Sequence, residues 1–328
     1  MERIKKLRIR TEVTMEKKVV CLGIIVGDFI GRPVENVPEK GKLVLTERTE
    51  LHIGGCASNT GVVLKRLGID VGIIGKVGND NLGDFLLGKL KDENLDVRGI
   101  KRSRGKTTSG TLVMVHSDGE RSFIHSTGAN GDISMEDIDF GYIRQFSILH
   151  VAGAFLMPGF DGKPLAETLR KAKQAGIMTC LDTAWDSTGK WISLIGEALP
   201  YIDYFLPSIE EAKMIAGMDN HVRIADFFLE RGVGNVCLKM GSSGSYIKNG
   251  KEEYRIMAPD APKIDTTGCG DAYAAGFIAG IVKELPFEKC GMLANITGGK
   301  IATGVGATTA VTSYEDTLEF GRKYGRWI

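Results

Sequence analysis

The sequence predicts an α/β fold: a parallel sheet covered by helices on both faces, with a small β-sheet lid projecting from the main body. Three observations carry this. Short β-branched runs of the length of buried parallel strands recur along the chain, and helical patterns lie between them. Alternation of strand and helix places successive strands parallel in one sheet, with the helices on its faces. Two other segments alternate apolar and polar residues with period two, the mark of half-buried antiparallel strands.

The first run is VVCLGIIV from Val19, read as one strand. Later runs are DVGIIGKV from Asp70, SILHV from Ser147, IMTCLD from Ile177, DYFLP from Asp203 and NVCLKM from Asn235. Helices are expected over Ala57–Leu67, stopped by Gly68, over Leu82–Glu93, over Pro164–Ala175, stopped by Gly176, and over Glu210–Ala216, stopped by Gly217. The period-two segments are Lys42–Ile53 and Thr107–Ser126, and Asp118-Gly119 in the second is a hairpin-turn signal. The lid is therefore expected over about 32–53 and 107–126, as an insertion in one domain spanning 18–328. Residues 1–14 carry five basic and two acidic side chains and no apolar core, so residues 1–17 are expected to form a flexible extension and not a secretory signal.

Composition bounds the function. The chain has 328 residues, 42 Lys+Arg against 41 Asp+Glu and 43 glycines. A formal net charge of +1 gives no electrostatic footprint for nucleic acid. The longest apolar stretches, Val19 to Gly27 and Ala272 to Val282, are shorter than the roughly 18–20 residues of a spanning helix, so no membrane partner is expected. Six dispersed cysteines without C-x-x-C spacing point to neither a zinc site nor a disulfide scaffold, and a reducing cytoplasm is the expected setting.

The most informative stretch is Asp265-Thr-Thr-Gly-Cys-Gly-Asp271, followed by AYAAGFIAGIV. Gly268 and Gly270 free the backbone to turn tightly and present N–H groups, and the small-residue apolar run behind them reads as a buried central helix. Bare amides at a buried helix N-terminus form an anion site. Asp271 falls in the first turn, where it would repel the anion that the loop attracts. A general base acting on a hydroxyl that attacks a phosphate reconciles the two.

This motif resembles the C-terminal signature of the ribokinase-like (PfkB) family of carbohydrate kinases, and Gly54-Gly-Cys-Ala-Ser-Asn-Thr-Gly61 is similar to the N-terminal one. The resemblance covers nearly the whole chain from Lys18. It implies ATP-dependent phosphoryl transfer to a hydroxymethyl group of a sugar or sugar-like substrate, with Asp271 as base, the amides of Gly268, Cys269 and Gly270 as anion hole, and Mg²⁺ on the phosphates. By the same resemblance Asp28 and Asn59 grip sugar hydroxyls, while Gly54 and Gly55 let the substrate approach the backbone. Val26 stands where ribokinases have an asparagine that meets ribose, which points away from ribose.

Lys239-Met-Gly-Ser-Ser-Gly244 resembles the family's nucleotide loop. It places Lys239, Gly241, Ser242 and Gly244 against ATP, and Asn295 on a helix bordering the adenine. Ser208-Ile-Glu-Glu211 is similar to an N-x-x-E motif whose glutamate helps hold the water shell of Mg²⁺, with Ser208 in place of Asn as a phosphate contact; S-x-x-E is also a helix capping box. Asp265, Thr267 and the loop Ala302–Ala310 match positions at which relatives bind a monovalent cation, potassium in the first instance. Arg32, Arg104 and Arg121 are lid or near-lid arginines that could meet an anionic group on the substrate, although such residues are more often solvated. A homodimer formed lid to lid is implied as well.

Competing functions fit less well. A dinucleotide oxidoreductase lacks its G-x-G-x-x-G between the first strand and helix. The Gly105-Lys-Thr107 near match to a phosphate-binding loop has its glycine at 99, one residue too far, and precedes a strand. A nucleoside kinase of the same family and a non-catalytic sugar-binding protein remain the alternatives.

Overall fold

The computed structural model describes residues 17–117 and 121–325. Residues 1–16 and the Asp118-Gly119 turn, both subjects of expectations above, lie outside the described residues. In chain order the elements are β1 (Val19–Gly23), β2 (Val26–Arg32), β3 (Arg48–Gly54), α1 (Cys56–Arg66), β4 (Val71–Gly78), α2 (Asn81–Asp92), β5 (Asp96–Ser103), β6 (Gly110–Val115) and β7 (Arg121–Ser126). Then follow α3 (Phe140–Ile143), β8 (Ile148–Ala154), α4 (Lys163–Gln174), β9 (Met178–Thr183), α5 (Ile192–Ile195), β10 (Tyr204–Phe205), α6 (Ile209–Ala216), α7 (His221–Leu229) and β11 (Asn235–Lys239). The chain continues with β12 (Ser245–Asn249), β13 (Glu253–Ile256), α8 (Cys269–Val282), α9 (Phe287–Ile301) and α10 (Tyr314–Lys323).

The main sheet has nine strands in the order β13-β12-β11-β10-β9-β8-β1-β4-β5. From β11 to β5 neighbours run parallel, while β12 and β13 add an antiparallel edge that the sequence reading did not anticipate. Strand β1 is buried on both faces. Val20 and Leu22 pack into one core with Leu169 of α4, Ile215 of α6 and Phe228 of α7. Val19 and Cys21 pack into the other with Val63 of α1, Leu86 of α2 and Phe277 of α8. This two-sided burial is why the run is apolar without alternation. Helix α8 is buried along Ala272–Ile281, and Gly276 and Gly280 let α9 close on it: a Cβ on Gly276 would lie 2.5 Å from Thr297 Oγ1.

The VVCLGIIV run does not form one strand. Ile25 has its N–H bonded to Asn130 Oδ1 at 3.1 Å and its carbonyl to Asn130 Nδ2 at 3.0 Å, so its backbone is taken out of the main sheet. From Val26 the chain enters a second sheet, ordered β3-β2-β6-β7. The period-two segments supply its other strands, but the first pairs only from Arg48, because its partner β2 ends at Arg32 and Pro33 follows with no N–H to give. Register puts His52, Asp28, Thr111 and His125 in one row across this sheet, and Leu51, Phe29, Leu112 and Ile124 in the next, on the opposite face.

Candidate functional site

Strand β1 lies between β4 and β8, so the chain winds outward from it in both directions. In open α/β sheets the crevice beyond the carboxyl ends of such strands is where ligands sit. The small sheet springs from this point, and both glycine motifs converge on it.

Gly268 caps α8 with φ +75°, and a Cβ there would collide with the Ala307 carbonyl, so the backbone turns as only glycine does cheaply. Gly55 caps α1 with φ +93°, and its Cβ would stand 2.5 Å from Ile24 O. The two helices are joined where they begin. Asn59 Nδ2 donates to Asp271 Oδ2 at 2.8 Å, and Thr60 Oγ1 to the Asp271 carbonyl at 3.3 Å. Burial raises the Asp271 carboxyl above its ordinary range; the Asn59 bond, the Lys239 charge and the Cys56 thiol pull it down, and Glu211 pushes it up.

Lys239 ends β11 and places Nζ 2.6 and 2.7 Å from the two carboxylate oxygens of Asp182, which is next to last in β9 and 2% exposed. Burial raises Asp182 while Lys239 opposes it. Burial would lower Lys239, but Asp182, Glu211 and Asp271 outweigh it and hold the ammonium charged. A Cβ on Gly270 would lie 3.4 Å from Lys239 Nζ, so the amine stands beside the amide loop.

Glu211 Oε2 accepts from Thr183 Oγ1 and from the Ser208 N–H, both at 2.9 Å, while Ser208 Oγ accepts from the Glu211 N–H at 3.2 Å. Ser208 and Glu211 thus form the capping box of α6, with the Ser208 hydroxyl engaged there. Asp182, Glu211 and Asp271 carry three potential negative charges against the one on Lys239, an excess that suits a cation bound with phosphate. Among the described residues no three His, Cys, Asp or Glu side chains converge as a metal cage.

On the small-sheet side, burial pushes Asp28 up to about 6 against the Thr111 hydrogen bond and the His52 charge. A Cβ on Gly54 would overlap the Asp28 carboxylate, so this glycine makes room for Asp28 as well as for any ligand. Asn59 has its amide on Asp271, and its Oδ1 is buried without a hydrogen-bond partner among the described residues.

On the other side a cavity of about 390 Å³ is lined by Lys239, Gly241, Ser242, Gly244, Cys269 and Asn295, among others. Its glycines leave the walls bare, which suits a flat base and its phosphates. Asn295 Nδ2 is bonded to Ser245 Oγ at 2.8 Å and Ile256 O at 3.3 Å, so its amide braces the wall.

Asp265 accepts from the Thr267 N–H on Oδ1 and the Gly306 N–H on Oδ2, both at 2.7 Å. Arg121 Nη1 stands 2.5 Å from the same Oδ1. The carboxylate assigned by resemblance to a monovalent cation is already matched by a guanidinium, and a cation does not fit beside it. Of the arginines considered for an anionic substrate, Arg121 is thus engaged with Asp265 and Arg32 lies 3.4 Å from Glu50, while Arg104 is exposed.

Sequence reasoning passed over Asp182, Thr183 and Asn130. Asp182 carried a signal, an acid closing a buried parallel run at its carboxyl end. Thr183 and Asn130 carried none that separates them from ordinary loop residues.

The model of the pfkB family of carbohydrate kinases matches residues 16–313. The 2-dehydro-3-deoxygluconokinase of Bacillus subtilis is 27% identical over 280 residues, 82% of this chain and 86% of that protein. The ribokinase of Haemophilus influenzae is 25% identical over 313 residues, 93% of this chain and 99% of that protein. Among solved structures, Arabidopsis thaliana ribokinase complexed with ribose and ATP superposes with a TM-score of 0.80 at 22% identity, over 93% of this chain and 99% of that one. The nucleoside kinase of Methanocaldococcus jannaschii superposes with a TM-score of 0.78 at 23% identity, over 94% and 99%. A family match over nine-tenths of the chain, with both glycine motifs meeting at one aspartate, places the chain in the pfkB family of carbohydrate kinases, which are phosphotransferases.

Proposed function

We propose that this kinase transfers the γ-phosphate of ATP to a hydroxymethyl group of a small carbohydrate, with Asp271 as the general base. The observation that carries the reading is the placement of Asp271: a half-buried carboxylate in the first turn of α8, next to the amides of Gly268, Cys269 and Gly270, held by Asn59 from the other glycine motif.

Burial makes Asp271 a stronger base than a solvated carboxylate, so it can accept the hydroxyl proton as the oxygen attacks. The 268–270 amides and the α8 N-terminus stabilise the charge that develops on the transferring group. Nucleotide is held in the cavity between Gly241, Ser242, Gly244 and Asn295, with Lys239 at the phosphate end. Mg²⁺, when bound, neutralises charge on the phosphates; Glu211, and Ser208 through the same capping box, border its water shell. Asp28, with Gly54 and Gly55 leaving room, orients the carbohydrate under the small sheet, which excludes water as it closes. The opposite face of that sheet leaves Phe29, Leu51, Leu112 and Ile124 exposed, and we assign it to contact with a second copy of the chain.

The test is ADP release from Mg-ATP over hexoses, pentoses, sugar acids, sugar phosphates and nucleosides, with Asp271→Ala alongside. Carbohydrate-dependent release that the substitution abolishes supports the reading. Release with nucleosides alone moves the acceptor to that class, and release unchanged in Asp271→Ala overturns the role of Asp271.

A further inference from the structure

Resting on the proposed role of the 268–270 loop, we propose that Arg121 supplies the positive charge at Asp265 in place of a monovalent cation and is a positioning residue for the anion hole, so that turnover needs no potassium.

The carboxylate is 2% exposed in its side chain and the guanidinium 14%, so the pair is largely out of water. A carboxylate offers about four lone-pair sites. Thr267, Gly306 and Arg121 take three, and together they hold Asp265 below the ordinary range despite its burial.

Three carbonyls of the loop 302–310 are engaged as well. The Ala302 carbonyl accepts from the N–H groups of Ile264 at 2.7 Å and Asp265 at 3.2 Å. The Val305 carbonyl accepts from Thr309 Oγ1 at 2.6 Å, and the Thr308 carbonyl from Arg66 Nη1 at 2.6 Å. An ion here would compete for oxygens already engaged, and would sit beside a fixed positive charge.

Arg121 opens β7, so its bond to Asp265 closes the small sheet onto the loop that leads into Gly268. A second strand of that sheet reaches the loop 302–310, which holds Asp265 through the Gly306 N–H: a Cβ on Gly306 would lie 3.5 Å from His52 Nδ1 of β3. Through Asp265, Arg121 fixes the loop whose amides meet the transferring phosphate.

The test compares chloride salts of potassium, sodium and choline at constant ionic strength, by initial rate with the best acceptor and by thermal unfolding without ligands. The wild type is expected to give the same kcat, within twofold, and the same Tm in all three. In Arg121→Ala, kcat in choline falls at least tenfold with KM for the acceptor little changed, potassium restores part of it, and potassium raises Tm. Arg121→Lys retains the wild-type indifference to salt. Activation of the wild type by potassium over choline of fivefold or more, a potassium-specific rise in its Tm, or an Arg121→Ala protein with unchanged kcat would overturn the inference. If no acceptor supports turnover in any salt, the proposed function fails, and the unfolding series still decides between Arg121 and an ion.

Discussion

Asn59 and Asp271 stand 212 residues apart in sequence and 2.8 Å apart in space, with the Asn59 amide donating to Asp271 Oδ2. That bond fixes the direction of the carboxylate and favours its charged form, against the burial that disfavours it. Glycines make the approach possible: Gly55 turns the chain into α1 and Gly268 turns it into α8, both at positive φ.

Removing the Asn59 donor should move the pH profile. A hydrogen bond to a charged group contributes about 1.5–3 kcal/mol, and one pKa unit is about 1.36 kcal/mol. In Asn59→Ala the Asp271 carboxyl therefore rises further. A base is lost as pH falls through its pKa, so the acid limb of kcat/KM moves to higher pH, which a pH–rate profile reads directly.

Two glycines at similar φ should respond differently to alanine. Gly217, the αL cap of α6 at φ +68°, has open space where a Cβ would go, so Gly217→Ala loses about 1–2 kcal/mol of stability from backbone strain and keeps its kcat. In Gly268→Ala the same strain is joined by a collision with the Ala307 carbonyl. It should lose more stability, and kcat should fall at least about tenfold as the amides shift from their places. Urea unfolding and initial rates on both variants check this.

The Lys239–Asp182 pair should behave as a buried ion pair. Lys239→Met strands the Asp182 carboxylate, 2% exposed, and should destabilise by about 3–5 kcal/mol. Adding Asp182→Asn removes the stranded charge and should recover most of that loss. The expected result is non-additive urea midpoints across the four proteins of the cycle.

The parts of the site legible in the sequence have local causes. Gly268, Gly270 and Asp271 are tied by the start of one helix, and the apolar run behind them announces a buried helix without any knowledge of its neighbours. Strand β2 was hidden because Val26 continues a β-branched run, and only Asn130, 105 positions away, shows that Ile25 leaves the main sheet. Asp182 meets Lys239 because β10 alone separates β9 from β11, a strand order that no short pattern encodes. Asp265 was singled out by resemblance, as a position where relatives bind a monovalent cation. Its contact with Arg121 comes from the second sheet, 144 positions away in the chain, and no local pattern encodes it.

The exposed row on the small sheet should hold two copies together. Leu112 is 51% exposed at the centre of that face, between Phe29 and Ile124 in register. Wild-type protein is expected to sediment as a dimer at micromolar concentration, and Leu112→Glu, which buries a charge in the contact, as a monomer that still unfolds cooperatively, with a Tm that no longer depends on protein concentration.

The most direct measurement is single-turnover phosphoryl transfer by Asp271→Asn, which keeps the size and the helix position and removes the base. The account predicts a rate lower by about 10²–10⁴, with ATP affinity within about threefold, since nucleotide is held by other residues. An Asp271→Asn protein that transfers phosphate within tenfold of the wild-type rate would contradict the assignment of Asp271 as the base.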